Sequence, residues 1–468
     1  MSPELTHQNN SEEFVLAEQF EQLVGVQPIG QESSWMQNRR QAMQAFAQLG
    51  FPKKRSESYK YTPISKWIES RLRFETNGPS IKSIHNGAAV GAEAPPSAAN
   101  LELKHSAGQG VGRLSASWNG ESGIQVQTSN GRLSGTIKGV VPEGLTICSL
   151  QDAMVQHPAL LNTYLTKAVV LDRDPFAALA SAFAEDGIFI HARAELTGGE
   201  VIAIHHDALD TNGFVQPRVL IVAEKGASIQ VVEHFPFLDS GRTFENRIAE
   251  IFVAEKARVD HVLVMERSEE ALFVNSLFVH QSEKSYFRTN TVTLGGGLVR
   301  HNLNFLPNAE ECETHLHGLY VAKGKAHVDN HTLVDHAKPN CFSNEMFKGI
   351  VTDQATGVFN GKVLVRQDAQ KTNAYQSSKC IVLDRGARTY AKPELEIYAD
   401  DVKCSHGATT GELDEDAIFY LRARGISRDA AKMLLLEAFA RDVVDLIAVE
   451  DVRNYLYTRL NRLLTVLN

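Results

Sequence analysis

Two side chains able to ligate a metal stand one residue apart in Lys403-Cys404-Ser405-His406-Gly407. On an extended strand alternate side chains share a face, so the Cys404 thiol and the His406 imidazole project together. A thiol and an imidazole at that separation can share a soft metal or activate one another. Cys-x-His is a weak pattern by spacing alone. What singles it out is its place, after Asp400-Asp401 and just before a helical chain end. A second concentration is His301, His315, His317, His327, His331 and His336. His315 and His317 share a strand face, and neutral imidazole suits iron or zinc. For each of these histidines, a surface position or a hydrogen bond within a coil is the ordinary alternative.

Several kinds of chemistry are missing. There is no G-x-x-x-x-G-K-[ST] phosphate loop, so the chain holds no ATP site of that kind. Gly295-Gly296-Gly297 lies between Leu294 and Leu298 and opens no helix, so it reads as a turn. Neither G-x-S-x-G nor H-E-x-x-H occurs. The 5 cysteines, Cys148, Cys312, Cys341, Cys380 and Cys404, include no C-x-x-C pair and are too scattered for a disulfide framework. Cys148, Cys312, Cys341 and Cys380 are expected as small buried hydrophobes. Nothing here makes a self-sufficient enzyme.

The elements that must position Cys404 and His406 come in three stretches. Residues 1–75 read as helices: Ser11 caps a segment with Phe14, Phe20, Leu23 and Val24, and Gly50 stops one carrying Trp35, Met36, Met43, Phe46 and Leu49. A third, with Ile64, Trp67, Ile68 and Leu72, follows the basic and aromatic run Lys53-Lys54-Arg55-Ser56-Glu57-Ser58-Tyr59-Lys60-Tyr61. Residues 76–100 turn to Gly, Ala, Pro and Ser, a linker. Residues 101–186 mix short strands, such as the one at Ile124, with helices at 150–165 and 174–184.

Residues 187–412 are strand-like with short polar turns. Asp353, Asp368, Asp384 and Asp400 each end an apolar run, about 15–16 residues apart by sequence number. Strand–turn units of this kind bury their apolar face only when stacked. The spacing predicts a β-helix with about 30 residues per coil, with a β-sandwich as the alternative, although sandwich turns usually come every 8–12 residues. Residues 413–468 return to helices, at 413–424 ending on Gly425, at 428–447 capped by Ser427, and at the end. There Val452, Leu456, Leu460, Leu463, Leu464 and Leu467 form one stripe. It packs on its own domain or receives a partner; the sequence leaves both open.

The 468 residues carry 47 Lys+Arg against 56 Asp+Glu, a net charge of −9, and 43% hydrophobic residues. The length calls for more than one folded region. Mild acidity argues against general nucleic-acid binding. No apolar run is long enough to span a bilayer and no secretory leader is visible, so a cytoplasmic protein is expected.

The run KPELEIYADDVKCSHGATTG at 392–411, followed by IFYLRARGI at 418–426, resembles the SufB/SufD family of Fe–S cluster assembly proteins. LGGGLVRHNLNF, VDNHTLVDHAKPNCFSNEMFKG and GVFNGKVLVRQDAQKTNAYQ continue the likeness upstream, and RSESYKYTPI extends it to the N-terminal region. Tyr59 departs from the tryptophan more often found there. SufB-like chains carry an acidic Glu-His-Glu-Ala-Thr type sequence where this one has Cys404-Ser405-His406-Gly407-Ala408-Thr409, which favours the SufD branch. The resemblance implies a mainly β fold, a right-handed parallel β-helix with helical N-terminal and C-terminal regions. It also implies a non-catalytic subunit of a scaffold with SufB and the ATPase SufC. SufB would pair with the β-helix, and SufC would bind the C-terminal helices at Leu413, Phe419, Tyr420, Leu421, Arg424, Gly425, Leu435 and Phe439. His406, with Cys404 beside it, would hold a transient Fe–S cluster or iron at the SufB interface. A homodimer is the alternative state when SufB is absent. Two rivals remain: an inert scaffold half whose partner supplies every ligand, and a β-helix carbohydrate lyase or esterase, which the architecture alone allows.

Overall fold

The computed structural model describes residues 12–24, 34–53, 56–71, 123–208, 213–238 and 243–466. Ser11, Leu72, Leu467 and the linker at 76–100 lie outside them. The helices are α1 (Glu12–Val24), α2 (Ser34–Leu49), α3 (Ile64–Arg71), α4 (Leu150–Gln156), α5 (Pro158–Tyr164), α6 (Pro175–Phe183), α7 (Glu415–Arg422), α8 (Arg428–Val444) and α9 (Glu450–Val466). The first strands are β1 (Ile124–Ser129), β2 (Arg132–Lys138), β3 (Leu145–Ser149), β4 (Ile188–Ala192), β5 (Thr197–Asp207), β6 (Phe214–Val215), β7 (Arg218–Ala223), β8 (Ser228–Phe235), β9 (Phe244–Val253) and β10 (Arg258–Met265). The rest are β11 (Leu272–Gln281), β12 (Tyr286–Thr293), β13 (Leu298–Pro307), β14 (Glu313–Ala322), β15 (His327–His336), β16 (Phe342–Val351), β17 (Thr356–Val365), β18 (Asn373–Val382), β19 (Arg388–Ile397) and β20 (Lys403–Gly411).

From β4 onward the chain is a parallel β-solenoid. One sheet runs β2-β1-β5-β8-β10-β12-β14-β16-β18-β20, the other β19-β17-β15-β13-β11-β9-β7-β4-β3. The strands alternate between the sheets, so each coil supplies one strand to each and pairs in parallel with the next coil. The sandwich alternative is thereby excluded, and the aspartate spacing has its cause: two turns per coil. One of these two corners, the one that carries Asp368 and Asp400, also repeats its backbone geometry. Gly226, Lys256, Lys284, Glu311, Asn340 and Lys371 all have left-handed φ between 56° and 68°. Each donates its backbone N–H to a carbonyl of the following coil, as in Lys256 to Glu283 and Lys371 to Asp401. A non-glycine residue accepts that conformation only where its surroundings impose it, and here the stacking does.

Alternate side chains meet between the sheets. Ile229, Val259, Phe287, Leu316 and Phe347 of one sheet pack against Ile251, Val279, Phe305, Val334 and Phe359 of the other. The lumen also holds a saturated polar network. Glu233 accepts hydrogen bonds from His206 Nε2 and His261 Nε2, each at 2.9 Å, and from Arg247 Nε at 2.8 Å. Burial works to raise the Glu233 carboxyl, but Arg247 and the two imidazoles outweigh it and hold it well below the usual range.

Helices cover the outer faces. Phe20, Phe46, Phe51 and Tyr59 join α6 against Phe244, Leu272, Val274 and Leu298. Asp174 caps α6 through the Phe176 and Ala177 N–H groups, and the helix is buried along its whole length. On the opposite sheet α8 and α9 lay Leu436, Val443, Leu456, Leu460 and Leu464 on Val232, Val262, Val264 and Leu319. The α9 stripe therefore packs on its own domain. Buried Glu266 fastens it, accepting from Arg459 Nε at 2.6 Å and from the Tyr455 hydroxyl.

Three expectations need correcting. The helical stretch at 150–165 is two helices, because Pro158 lacks an N–H and restrains His157, which sits at φ −134°, ψ 46°. The helix begun at Ser427 ends at Val444 rather than 447. Cys312, Cys341 and Cys380 are buried, but Cys148 is only half-buried.

Candidate functional site

Where the covering helices stop, the solenoid ends on an uncovered coil. β19 and β20 are the terminal strands of their two sheets. Both are almost entirely exposed or half-exposed along their lengths, unlike the strands before them. Each presents a row of backbone groups with no further strand to pair with, the kind of edge that accepts another chain.

Cys404 and His406 both lie on β20, and they share the face that points into the lumen. Register shows this: Cys404 continues the column Thr314–Ser343–Ala374, and His406 continues Leu316–Glu345–Gln376. Earlier members of these columns are buried, whereas at the last coil the lumen is open, so the same position becomes a mouth. The two side chains differ there. Cys404 is half-buried against the cluster of Val363, Val365, Ala374 and Ala399. Burial pushes its thiol up, so it stays protonated at neutral pH unless a metal displaces the proton. A thiolate beside the imidazole, as the pairing of residue types suggested, is not its resting state. His406 is exposed.

Beneath His406 lie two residues that sequence reading missed. Gln376 is one coil down and Glu345 two, both at most 3% exposed. Gln376 Nε2 donates to Glu345 Oε2 at 2.7 Å. Glu345 Oε1, Gln376 Oε1 and Thr332 Oγ1 are buried with no hydrogen-bond partner. Burial pushes the Glu345 carboxyl up to about 7, against the smaller downward pull of Thr332 and Gln376, and no cation is among the groups acting on it. A Cβ on Gly361, across the lumen, would collide with the Gln376 amide, so glycine there makes room for it. The signal that could have found this column is a polar residue one coil before His406 and another one coil before that, inside an apolar-inward pattern.

The histidine-rich stretch does not converge. His301 Nε2 is 3.0 Å from Thr293 Oγ1 and its Nδ1 3.1 Å from Asn275 inside the lumen. His336 is 2.9 Å from Ser343 Oγ. His327 bonds Thr62, and His331 pairs with Asp329 on the outer face. His315 and His317 do share a face, with ring centroids 5.9 Å apart. Among the described residues no group of three or more His, Cys, Asp or Glu side chains is placed to hold a metal ion.

The helical end after the mouth presents apolar surface. On α7, Ile418 is buried while Phe419 is 72% and Tyr420 57% exposed. Arg424 lies over the Tyr420 ring at 3.4 Å, and Gly425, at φ 86°, closes the helical end. Leu421 and Leu435 are half-buried. Leu413 and Phe439 pack partly against the solenoid, and Phe439 lies under the Lys348 ammonium at 4.3 Å. From the other side the N-terminal basic-aromatic run reaches the last coil: Tyr61 stacks on Tyr390 at 4.5 Å, and Glu57 pairs with Lys392 at 3.1 Å. Lys54 and Arg55 of that run are outside the described residues.

No helix among the described residues is long and apolar enough to cross a membrane. Residues 206–439 match the SufBD core domain of SUF system FeS cluster assembly, and residues 20–86 and 125–203 match the SufBD protein N-terminal region. The chain is 28% identical to the iron-sulfur cluster assembly protein SufD of Escherichia coli over 425 residues, 90% of this chain and 92% of that protein. An iron-sulfur cluster assembly SufBD family protein of Synechocystis is 37% identical over 250 residues, 52% of this chain and 55% of its own length. A chloroplastic protein of Arabidopsis thaliana, ABCI7, is 32% identical over 240 residues, 51% of this chain and 50% of its own. The chain thus spans about half the length of these last two relatives and nearly all of the first.

Proposed function

Because the chain belongs to the SufBD family of iron–sulfur cluster assembly proteins, we propose that it is a non-catalytic scaffold subunit whose last solenoid coil pairs with SufB and contributes His406 as a ligand to iron or to a nascent cluster. The observation that carries this reading is the coincidence of two features at one end. The two sheet edges are bare, and the one exposed imidazole of the inner columns stands between them. Edges of that kind pair with a partner strand, which would close the mouth and bring the partner's side chains over His406.

The chemistry asked of His406 is modest. A neutral imidazole offers one nitrogen lone pair to iron, and the remaining ligands come from SufB and from sulfide. Cys404 is the secondary ligand: its thiol must lose a proton that burial favours keeping. Iron and sulfide are cargo here, assembled at the interface and passed to apo-proteins. ATP hydrolysis falls to SufC, since this chain has no phosphate loop. Phe419 and Tyr420 of α7, large and exposed, are the anchors on which SufC would dock. SufC dimerisation on ATP would pull the helical ends and open the SufB interface, exposing His406 to incoming iron. The compartment is the cytoplasm, and a second copy of this chain can take SufB's place at the bare edges when SufB is absent.

The test is anaerobic reconstitution of the SufB–SufC–SufD-type complex containing this chain, reading bound iron and acid-labile sulfide for wild type and His406→Ala. A large loss at unchanged subunit stoichiometry supports a ligand role. A second reading, a scaffold half with every ligand on SufB, draws on the lack of a three-ligand group among the described residues. Unchanged iron and sulfide in His406→Ala would establish it.

A further inference from the structure

The lumen beneath His406 contains a set of polar atoms whose bonding is incomplete. Buried side-chain amides and carboxyls ordinarily find partners, so each unpartnered atom asks for an explanation. Gln376 Nε2 is committed to Glu345 Oε2 at 2.7 Å, which leaves Gln376 Oε1 as a buried acceptor without a donor. Thr332 stands level with Glu345, one coil below Gln376, and its unpaired hydroxyl is the natural donor to Glu345 Oε1. Across from Gln376 the lumen offers Gly361 and Phe359, neither with a side-chain donor. Above Gly361 the last coil places Pro393, which has no N–H at all. In the column directly above Gln376 stands His406, whose imidazole N–H is a donor on the side of Gln376 that faces the mouth.

We propose that Gln376, anchored by Glu345, is a positioning residue for His406: Gln376 Oε1 accepts the N–H of one imidazole nitrogen and leaves the other nitrogen's lone pair directed to the mouth. This rests on the reading of His406 as an iron ligand, and it extends that reading two coils into the solenoid. A ligating imidazole needs its second N–H held by an acceptor, which selects the tautomer and orients the ring. His406 makes no hydrogen bond of its own among the described residues, so its ring is free to turn onto that acceptor. Gly361 belongs to the same device, because a side chain there would displace the amide. Glu345 fixes which end of the Gln376 amide faces upward when it is ionised, as it is at about pH 8: a carboxylate only accepts, so it takes the nitrogen and leaves the oxygen.

The test reads the tautomer of His406 directly, by nitrogen-15 spectra of histidine side chains in the full chain at about pH 8, with the His406 signal identified by its loss in His406→Ala. Wild type should show one dominant tautomer. Gln376→Leu should return the ring to the mixture of a free imidazole and weaken Fe(II) binding by the complex by about 10-fold or more. Should Gln376→Leu fail to fold, the exchange variant Glu345→Gln with Gln376→Glu keeps the buried pair and puts a carboxylate under the ring. It should retain the single tautomer. Unchanged tautomers in a folded Gln376→Leu, or a mixed population in the exchange variant, would overturn the proposal. If the tautomer responds as expected but His406→Ala keeps its full iron, then the hydrogen bond stands and the ligand reading falls.

Discussion

Two buried glutamates of the lumen, Glu233 and Glu345, have the same side chain in the same kind of enclosure and opposite electrostatic states. Glu233 has Arg247 on both carboxylate oxygens and two imidazoles besides, and its carboxyl lies well below the ordinary range. Glu345 has one amide N–H at 2.7 Å and the Thr332 hydroxyl, both neutral, and a carboxyl raised to about 7. Burial disfavours the charged form in both. What differs is the counter-charge. Deep in the solenoid the polar groups close on one another; near the mouth the column is left open toward the coil that carries His406. A saturated network is what structure requires, whereas an unsaturated one beside an exposed end is where a further ligand or partner completes the bonding.

Removing the saturated member should have the largest effect. Glu233→Gln leaves Arg247 buried without its counter-charge and should lose about 3–5 kcal/mol of stability at pH 7 in urea unfolding. A loss under about 1 kcal/mol would mean that the network is not what holds this part of the lumen.

Glu345→Gln should act in the other direction. The folded-state value is raised above 4.5 to about 7, so between those values the folded protein holds a proton that the unfolded chain has released. Stability contributed by protonated Glu345 is therefore present below about pH 4.5 and falls as pH rises toward about 7. Glu345→Gln should stabilise the protein by on the order of 2–3 kcal/mol at pH 8 and change it little at pH 5. Equal effects at the two pH values would mean that folding does not raise the Glu345 carboxyl at all.

Smaller effects sharpen the contrast at the surface. Tyr455→Phe removes one hydrogen bond from buried Glu266, which keeps Arg459 and His234, so a loss of about 1 kcal/mol is expected in thermal melts. Phe419→Ala should leave stability within about 0.5 kcal/mol, since the ring is exposed, yet weaken SufC capture in a pull-down. Cys404→Ala should be the mildest at the mouth, lowering reconstituted iron less than about 2-fold, because burial already keeps the thiol protonated.

Much of the architecture was legible in the residues. The aspartates 353, 368, 384 and 400 marked the turns because two turns per coil must recur at near-constant intervals when coils stack in register. Cys404 and His406 were legible as a pair because strand geometry alone puts alternate residues on one face. Pro158 shows where the reading stopped short: a proline inside an apolar helical pattern split one expected helix into two. The histidines at 301–336 mislead for a related reason. Their nearness in sequence spreads over three strands, inside the lumen and outside it, so most bond to separate partners.

Local rules therefore pointed from the residues to a stacked β-solenoid core with a sandwich as its rival, to flanking helices, and to a thiol and an imidazole projecting together at the last strand. Those are consequences of periodicity and chain geometry, which act over a few residues. Coil stacking is what turns the shared face into the lumen, lays α9 on its own domain and sets Glu345 and Gln376 beneath His406. Residues about 30 positions apart become neighbours when coils stack, and burial, which sets whether a carboxyl or a thiol keeps its proton, exists only once they have.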